Sequence, residues 1–370
     1  MTARRVRVVG TGLIGTSIGL ALRAAGEQVT LADPSPTAAA LARDLGAGGI
    51  AGPGDDAPDV VVVAAPPDVA ADVIVEELLA WPGATVTDVA SVKAAVLARC
   101  AALLDGRGAP QGALARYVGS HPMAGRERSG AVSGQRDLFQ GRPWVIAAHP
   151  GSLPAAVADV TWLAGRVGAV AVTMPAQEHD VAVAAVSHAP QVAASLVAAR
   201  LRDLPSEAVG LAGQGLRDVT RIADSDPALW TQILAGNAAA VADVLVDLAE
   251  DLEAVIRALR ALALDPESAV GARAVLARVV ASGQSGRARI PGKHGAAPTT
   301  YGVVTVLVPD VPGAIAALLT DVGEAGVNLE DLRIEHDVGR EIGIVELMVL
   351  PAAAEPLARA LGELHWAVHL

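Results

Sequence analysis

The stretch Val6-Arg7-Val8-Val9-Gly10-Thr11-Gly12-Leu13-Ile14-Gly15-Thr16-Ser17 decides the fold. A short β-branched run enters a glycine turn, and the turn opens an Ala/Leu-rich run of helical length, 13–25. In a G-x-G-x-x-G turn the first glycine permits the tight bend. The second lets the backbone approach a pyrophosphate, and the third lets helix and strand pack closely. A second strand, 28–32, ends at Asp33, which follows Gly15 by 18 residues. That is close to the spacing of about 20 expected of an acid that holds a ribose 2′-hydroxyl. Gly10, Gly12, Leu13, Ile14, Gly15 and Asp33 are therefore the expected cofactor contacts. With no arginine beside Asp33, NAD is preferred over NADP. An N-cap role for Asp33 ahead of Pro34 stands as the bland alternative.

Working outward, β-branched runs at 6–9, 60–63, 85–87, 145–146 and 170–173 are separated by helical stretches, the pattern of a doubly wound parallel sheet, and they define a Rossmann-type domain over 1–175. From 176 to 281 no strand-like run survives, and long Ala/Leu/Val stretches, including 227–262, read as an all-helical domain. Residues 282–295 (SGQSGRARIPGKHG) read as a linker, carried to 300. From 301 to 370 the order strand, helix, strand, strand, helix, strand is a βαββαβ ferredoxin-like unit.

The 370 residues suit two or three domains, and 52% hydrophobic content excludes disorder. A net charge of -12 argues against nucleic acid, since that partner needs a cationic face. The single cysteine, Cys100, forms no internal disulfide, so a cytoplasmic location is expected, and the N-terminus shows no export segment. Residues 181–199 are apolar enough to imitate a membrane span. They carry His188, Pro190 and Gln191 between Asp180 and Arg200, so a buried helix is expected and no membrane partner.

Four further clusters carry chemistry. Thr87-Asp88-Val89-Ala90-Ser91-Val92-Lys93 lies where a strand gives way to a helix; Ser91 is either a cap of that helix or a ligand of cofactor or catalytic histidine. Lys93 is one of two lysines in an arginine-rich chain, a hint that a compact charge is needed there. Ser120-His121-Pro122-Met123-Ala124-Gly125-Arg126-Glu127 reads as a loop after a strand at 117–119, with His121 poised for proton transfer. His179 and His188 are nine residues apart, about 900° on one helix, so they cannot pair on a metal, and no metal site is expected. His188 is either a core histidine or a site residue. Arg217 and Arg221, in a Gly- and Asp-rich turn before Trp230, suit a carboxylate clamp or local salt bridges.

Taken together these residues resemble the prephenate/arogenate dehydrogenase family of tyrosine biosynthesis. The motifs are GTGLIGTS at 10–17, DxxSVK at 88–93, SHPMAG at 120–125, SHxP at 187–190 and RDVTRIADSDPxLW at 217–230. The resemblance implies that His121 hydrogen-bonds the substrate ring hydroxyl with support from Ser91, and that Arg221 grips a substrate carboxylate. It implies that Glu127, Asp180, His188 and Trp230 line or gate the pocket and that the helical domain forms a homodimer. Some members carry a histidine where this chain has Gln191, near the substrate side chain, so this position bears on the choice between prephenate, the expected substrate, and arogenate, the alternative. The C-terminal unit looks like an ACT domain, a class of module that commonly binds an amino acid, which implies L-tyrosine as effector. The chain begins at the first Rossmann strand, so no chorismate mutase domain is expected ahead of it. A nucleotide- and amino-acid-sensing regulator without catalysis is the remaining reading.

Overall fold

Val60, Val61, Val62 and Val63 are all fully buried, and they alternate between two separate apolar clusters. A strand wrapped on both faces is the signature of a parallel sheet covered by helices. The computed structural model describes residues 3–125, 130–267, 269–290, 301–336 and 342–370. It divides into two compact units at 250/251.

The first unit opens with β1 (Arg5–Val9), α1 (Leu13–Ala24), β2 (Gln28–Ala32), α2 (Pro36–Asp44), β3 (Gly49–Ile50), β4 (Val60–Val63), α3 (Pro67–Ala80), β5 (Thr85–Asp88) and α4 (Ala94–Gly106). The five strands form a parallel sheet in the order β3-β2-β1-β4-β5. The order reverses between β1 and β4, and the crevice beyond the carboxyl ends of strands at such a point is where open α/β sheets bind ligands.

The parallel pattern does not continue unbroken to residue 175. β6 (Gly119–Pro122), β7 (Pro143–Ala147), α5 (Pro154–Arg166) and β8 (Val170–Thr173) follow, and their strands make a separate three-stranded sheet in which β6 and β7 are antiparallel. Tyr117 bridges Val86 in parallel fashion, so β6 points the same way as β5 and ends at the same edge. The expected strand at 117–119 is thereby displaced, and His121 sits within β6 rather than in a loop. Pairing with β7, after the Tyr117 bridge to β5, outweighs the weak strand propensity of Gly-Ser-His-Pro.

The helical part comprises α6 (Ala176–Val183), a π turn (Ala184–His188), α7 (Ala189–Ala199), α8 (Ser206–Val209), α9 (Gln214–Thr220), α10 (Pro227–Gly236) and α11 (Ala238–Leu264). From Ala176 to Ala199 the helix is long and apolar enough to cross a membrane by length and composition. It carries four buried polar side chains, His179, Asp180, His188 and Gln191. The expectation that it is buried holds for that face alone, since Val181, Val186 and Leu196 on the other are 61%, 69% and 59% exposed. The apolar stretch 227–262 is helical as expected and is divided at Asn237, where α10 and α11 meet at 95°.

The second unit contains the rest of α11, then α12 (Ala272–Arg287), β9 (Gly302–Pro309), α13 (Ala314–Glu324), β10 (Asp331–His336), β11 (Ile342–Val349), α14 (Pro351–Glu363) and β12 (Ala367–His369). The expected linker start at 282 is corrected: α12 continues through its Ser- and Gly-containing last turns to Arg287, while 291–300 lie outside the described residues. The last four strands form an antiparallel sheet, β10-β11-β9-β12, the expected βαββαβ topology. Val304, Val306, Leu318, Leu347, Leu357 and Leu361 are fully buried in its own core.

Candidate active site

Gly10 closes β1 at φ +100°, a left-handed conformation that glycine adopts without strain, and a Cβ there would lie 2.4 Å from the Ala64 carbonyl oxygen at the end of β4. The glycine turn is therefore wedged into the point where the strand order reverses. Gly12 caps α1 with no side-chain hydrogen bond, and a Cβ on it would meet nothing within 4 Å. Protein packing does not require that glycine; a group laid against the helix N-terminus does. Asp33 Oδ2 accepts from Thr11 N at 2.7 Å and Thr11 Oγ1 at 2.8 Å, and Oδ1 accepts from Ser35 N at 2.8 Å. Ser35, not Asp33, caps α2, through a bond from Ala38 N. Asp33 thus braces the turn, and an ionised carboxylate has acceptor capacity left for a ribose hydroxyl. The free helix N-terminus, the open space over Gly12 and the acid at the end of β2 fit a dinucleotide such as NAD.

The strand that carries His121 is held by a buried ion pair. Lys93 is 1% exposed and Asp88, at the end of β5, 0%. Lys93 Nζ donates to Asp88 Oδ2 and, at 2.8 Å, to the carbonyl of Ser120. Tyr117 OH and Ala90 N also donate to the Asp88 carboxylate, at 2.8 and 2.9 Å. Ser120 Oγ donates to the Asp88 carbonyl at 2.7 Å and accepts from Thr87 Oγ1 at 3.0 Å. Lys93, Tyr117 and the Ala90 amide all donate to the carboxylate, and such additional hydrogen bonds let a buried charge pair persist. Burial lowers the pKa of the Lys93 ammonium, opposed by Asp88, and burial raises that of the Tyr117 phenol well above its ordinary value.

His121 follows Ser120 and is half-buried. Burial first, and then the positive charge of Lys93, hold its pKa well below the ordinary histidine value of 6.5. The ring is consequently neutral, with a lone pair to offer, at neutral pH. Its Nδ1 lies 2.9 Å from Nε2 of His179, whose Nδ1 lies 2.8 Å from Asp180 Oδ1. The partner of His121 is thus His179, and the expected support from Ser91 is absent from its hydrogen bonds. Nor does Ser91 cap the following helix. Asp180 reaches over from α6, accepting from Lys93 N at 2.8 Å and Ala94 N at 2.9 Å at the start of α4. Burial pushes the Asp180 carboxyl up, but the His179 and backbone donors more than offset this and hold it below the usual range.

The remaining residues assemble partly. His188, on the π turn, is buried; its Nδ1 lies 3.2 Å from Asn237 Nδ2, and its ring stands edge-on to Trp230 at 6.0 Å. Asn237 also donates to the Asp180 carbonyl at 2.7 Å, so the break between α10 and α11 locks both residues. Gln191 is buried on α7 with Nε2 3.5 Å from Ser195 Oγ. Arg221 lies exposed in the turn Arg221–Ala223, after α9. Glu127 lies outside the described residues. Among the described residues no group of three His, Cys, Asp or Glu could hold a metal ion. Sequence reasoning passed over His179, Asp88, Tyr117 and Asn237 as site residues. Two signals were available: Asp88 opens the DxxSVK motif, and His179 adjoins Asp180.

A glycine turn that fits a dinucleotide, together with a neutral histidine on the strand that follows the Tyr117 bridge to β5, fits a nicotinamide-nucleotide-dependent dehydrogenase. Residues 18–173 match the model "Prephenate dehydrogenase, nucleotide-binding domain" and 175–268 match "Prephenate dehydrogenase, dimerization domain". The chain belongs to the prephenate dehydrogenase family. It is 36% identical over 365 residues to a probable prephenate dehydrogenase of Streptomyces niveus, covering 98% of this chain and 99% of that one. Among solved structures it is similar to the prephenate dehydrogenase of A. aeolicus in complex with hydroxyphenyl propionate and NAD+, with 26% identity and TM-score 0.64, covering 77% of this chain and 99% of that chain. It is also similar to Synechocystis arogenate dehydrogenase, with 25% identity and TM-score 0.60, covering 76% and 98%.

Proposed function

We propose that the chain oxidises and decarboxylates prephenate to 4-hydroxyphenylpyruvate. Bound NAD+ supplies the hydride acceptor. The observation that carries this reading is His121, held neutral in β6, whose approach through Tyr117 bridges β5 of the sheet that carries the glycine turn. His121 accepts the ring hydroxyl proton as hydride leaves, and loss of CO2 from the quaternary carbon completes an aromatic ring, a driving force that asks for no metal. Arg221 receives a substrate carboxylate in bidentate fashion. His188, Trp230 and Gln191 form the wall near the substrate side chain, Ser91 and Glu127 complete the polar lining, and Asp33 takes the ribose.

The family's dimerization domain and the exposed apolar face of Ala176–Ala199 support a homodimer. The βαββαβ unit supports an ACT-like role with L-tyrosine as effector. The protein works in the cytoplasm.

The test is NADH production with prephenate and with arogenate, each with and without L-tyrosine. Turnover of prephenate is expected, along with inhibition by tyrosine. Turnover of arogenate alone would move the specificity to the wall around Gln191, and NAD binding without turnover would favour a sensor. Replacement of His121 by Asn is expected to lower kcat by on the order of 10²–10⁴ with NAD affinity retained; unchanged turnover would remove His121 as the base.

A further inference from the structure

Asp180, His179 and His121 form a hydrogen-bonded row, and with both rings neutral its anchored end sets the order of the protons. Asp180 is fixed by two backbone donors at the start of α4, Lys93 N and Ala94 N, and by Asn237 on its carbonyl. An ionised carboxylate only accepts, so the hydrogen in the 2.8 Å contact with His179 belongs to His179 Nδ1. A neutral imidazole has a single N–H, so Nε2 of a neutral His179 is an acceptor. It stands 2.9 Å from His121 Nδ1, which must then carry its hydrogen, leaving Nε2 of His121 with the lone pair.

We propose that His179 is a positioning residue that fixes the tautomer of His121, so that Nε2 of His121 is the atom that receives the substrate proton. The proposal rests on His121 as the base. In the step, the O–H bond of the substrate breaks and an N–H bond forms at His121 Nε2. The imidazolium keeps its Nδ1–H on His179, which passes the interaction to Asp180 without any proton leaving the row. A neutral ring backed by a carboxylate is how an imidazolium is accommodated where water is scarce. The two rings meet edge-on, centroids 5.1 Å apart at 75°, so their contact is a directed one along the Nδ1 to Nε2 line.

The other charged and titratable groups about His121 come from three elements: Asp88 from β5, Lys93 from the start of α4, and His188 from the π turn. Tyr117 faces the carboxylate of Asp88. Burial disfavours the imidazolium most, followed by the charge of Lys93 and then by His179 and His188 in their charged forms. Within the row the one anionic group is Asp180, and His179 is the route by which His121 reaches it.

The experiment uses 15N-histidine-labelled full chain with NAD bound, comparing wild type, H179L and H179Q. In wild type His121 is expected to show a protonated Nδ1 and an unprotonated Nε2. H179L is expected to lose that tautomer and to lower kcat roughly 10- to 100-fold with NAD affinity retained. H179Q, whose amide can accept from His121 and donate to Asp180, is expected to restore the tautomer and most of the turnover. A wild-type His121 carrying its proton on Nε2 overturns the proposal without any variant having to fold. So does H179L with full turnover, or H179Q as slow as H179L. Full turnover in H121N overturns the underlying assignment of the base, which the tautomer spectrum reads separately.

Discussion

A Cβ on Gly15 would lie 1.9 Å from the Gly10 carbonyl oxygen, whereas one on Gly12 would meet nothing within 4 Å. The two glycines answer to different demands, close packing of the helix on the turn and close approach of a ligand, and substitution separates them. Gly15→Ala is expected to force the turn open and lower Tm. Gly12→Ala is expected to leave Tm unchanged and to weaken NAD binding at least 10-fold, measured by titration of intrinsic or NADH fluorescence. Equal loss of stability in both would show that Gly12 is a packing glycine after all. Arg221 belongs to the same scale. Its guanidinium is expected to bind a carboxylate present in ground and transition states alike, so Arg221→Ala should chiefly raise KM. A defect confined to kcat would argue against the clamp. The glycine turn was legible because it sits in a motif whose residue types have a local reason. Lys93 was visible only as an unusual lysine, because its partners Asp88 and the Ser120 carbonyl are brought to it by tertiary packing.

The elements around His121 are held by a few buried polar side chains, and these make stability depend on pH. His121 and His188 both have folded-state pKa values below 6.5, with burial the leading cause in each. When a histidine's folded pKa is depressed, the unfolded chain takes up a proton near pH 6.5 while the folded ring stays neutral. The stability is therefore fully present above pH 6.5 and lost as pH falls below it, until the folded ring titrates. Each ring is expected to contribute a slope of up to about 1.4 kcal/mol per pH unit in that window. Asp180 has the same sign at lower pH, its contribution being present above the ordinary carboxylate range and lost on further acidification. Denaturant unfolding at pH 7.5, 6.5 and 5.5 is expected to show a plateau followed by a fall. The double replacement of His121 and His188 by Asn is expected to flatten the fall, and an unchanged slope would show that neither ring is buried neutral. Element boundaries were the least legible part of the sequence for the same reason. β6 is a strand because β7 and the end of β5 flank it, α4 is capped from α6 rather than by Ser91, and α10 ends where Asn237 turns to His188 and Asp180.

At the scale of the whole molecule, the division into a nucleotide-binding part, a helical part and a βαββαβ part could be read from changes of hydrophobic period, because period reports which faces an element buries. The boundary near 282 was misread because Gly and Ser mark linkers only when no apolar face continues through them, and α12 carries on to Arg287. Among the described residues the apolar clusters share no member: the two around the parallel sheet contain none beyond Ala169, and the C-terminal cluster none before Val304. Shared cores would make truncation a folding experiment, but separate ones make it a functional experiment. A chain ended after Ile290 is therefore expected to keep the NADH-producing activity within a few-fold of the full chain. If L-tyrosine acts through the βαββαβ unit, inhibition disappears in the truncated chain while turnover remains. Tyrosine shares its hydroxyphenyl ring with 4-hydroxyphenylpyruvate, so persistence of inhibition, competitive with prephenate, would instead place tyrosine in the pocket beside His121. The C-terminal unit would then have to be explained by assembly, and sedimentation of the two chains would read that directly, as a smaller oligomer for the truncated one.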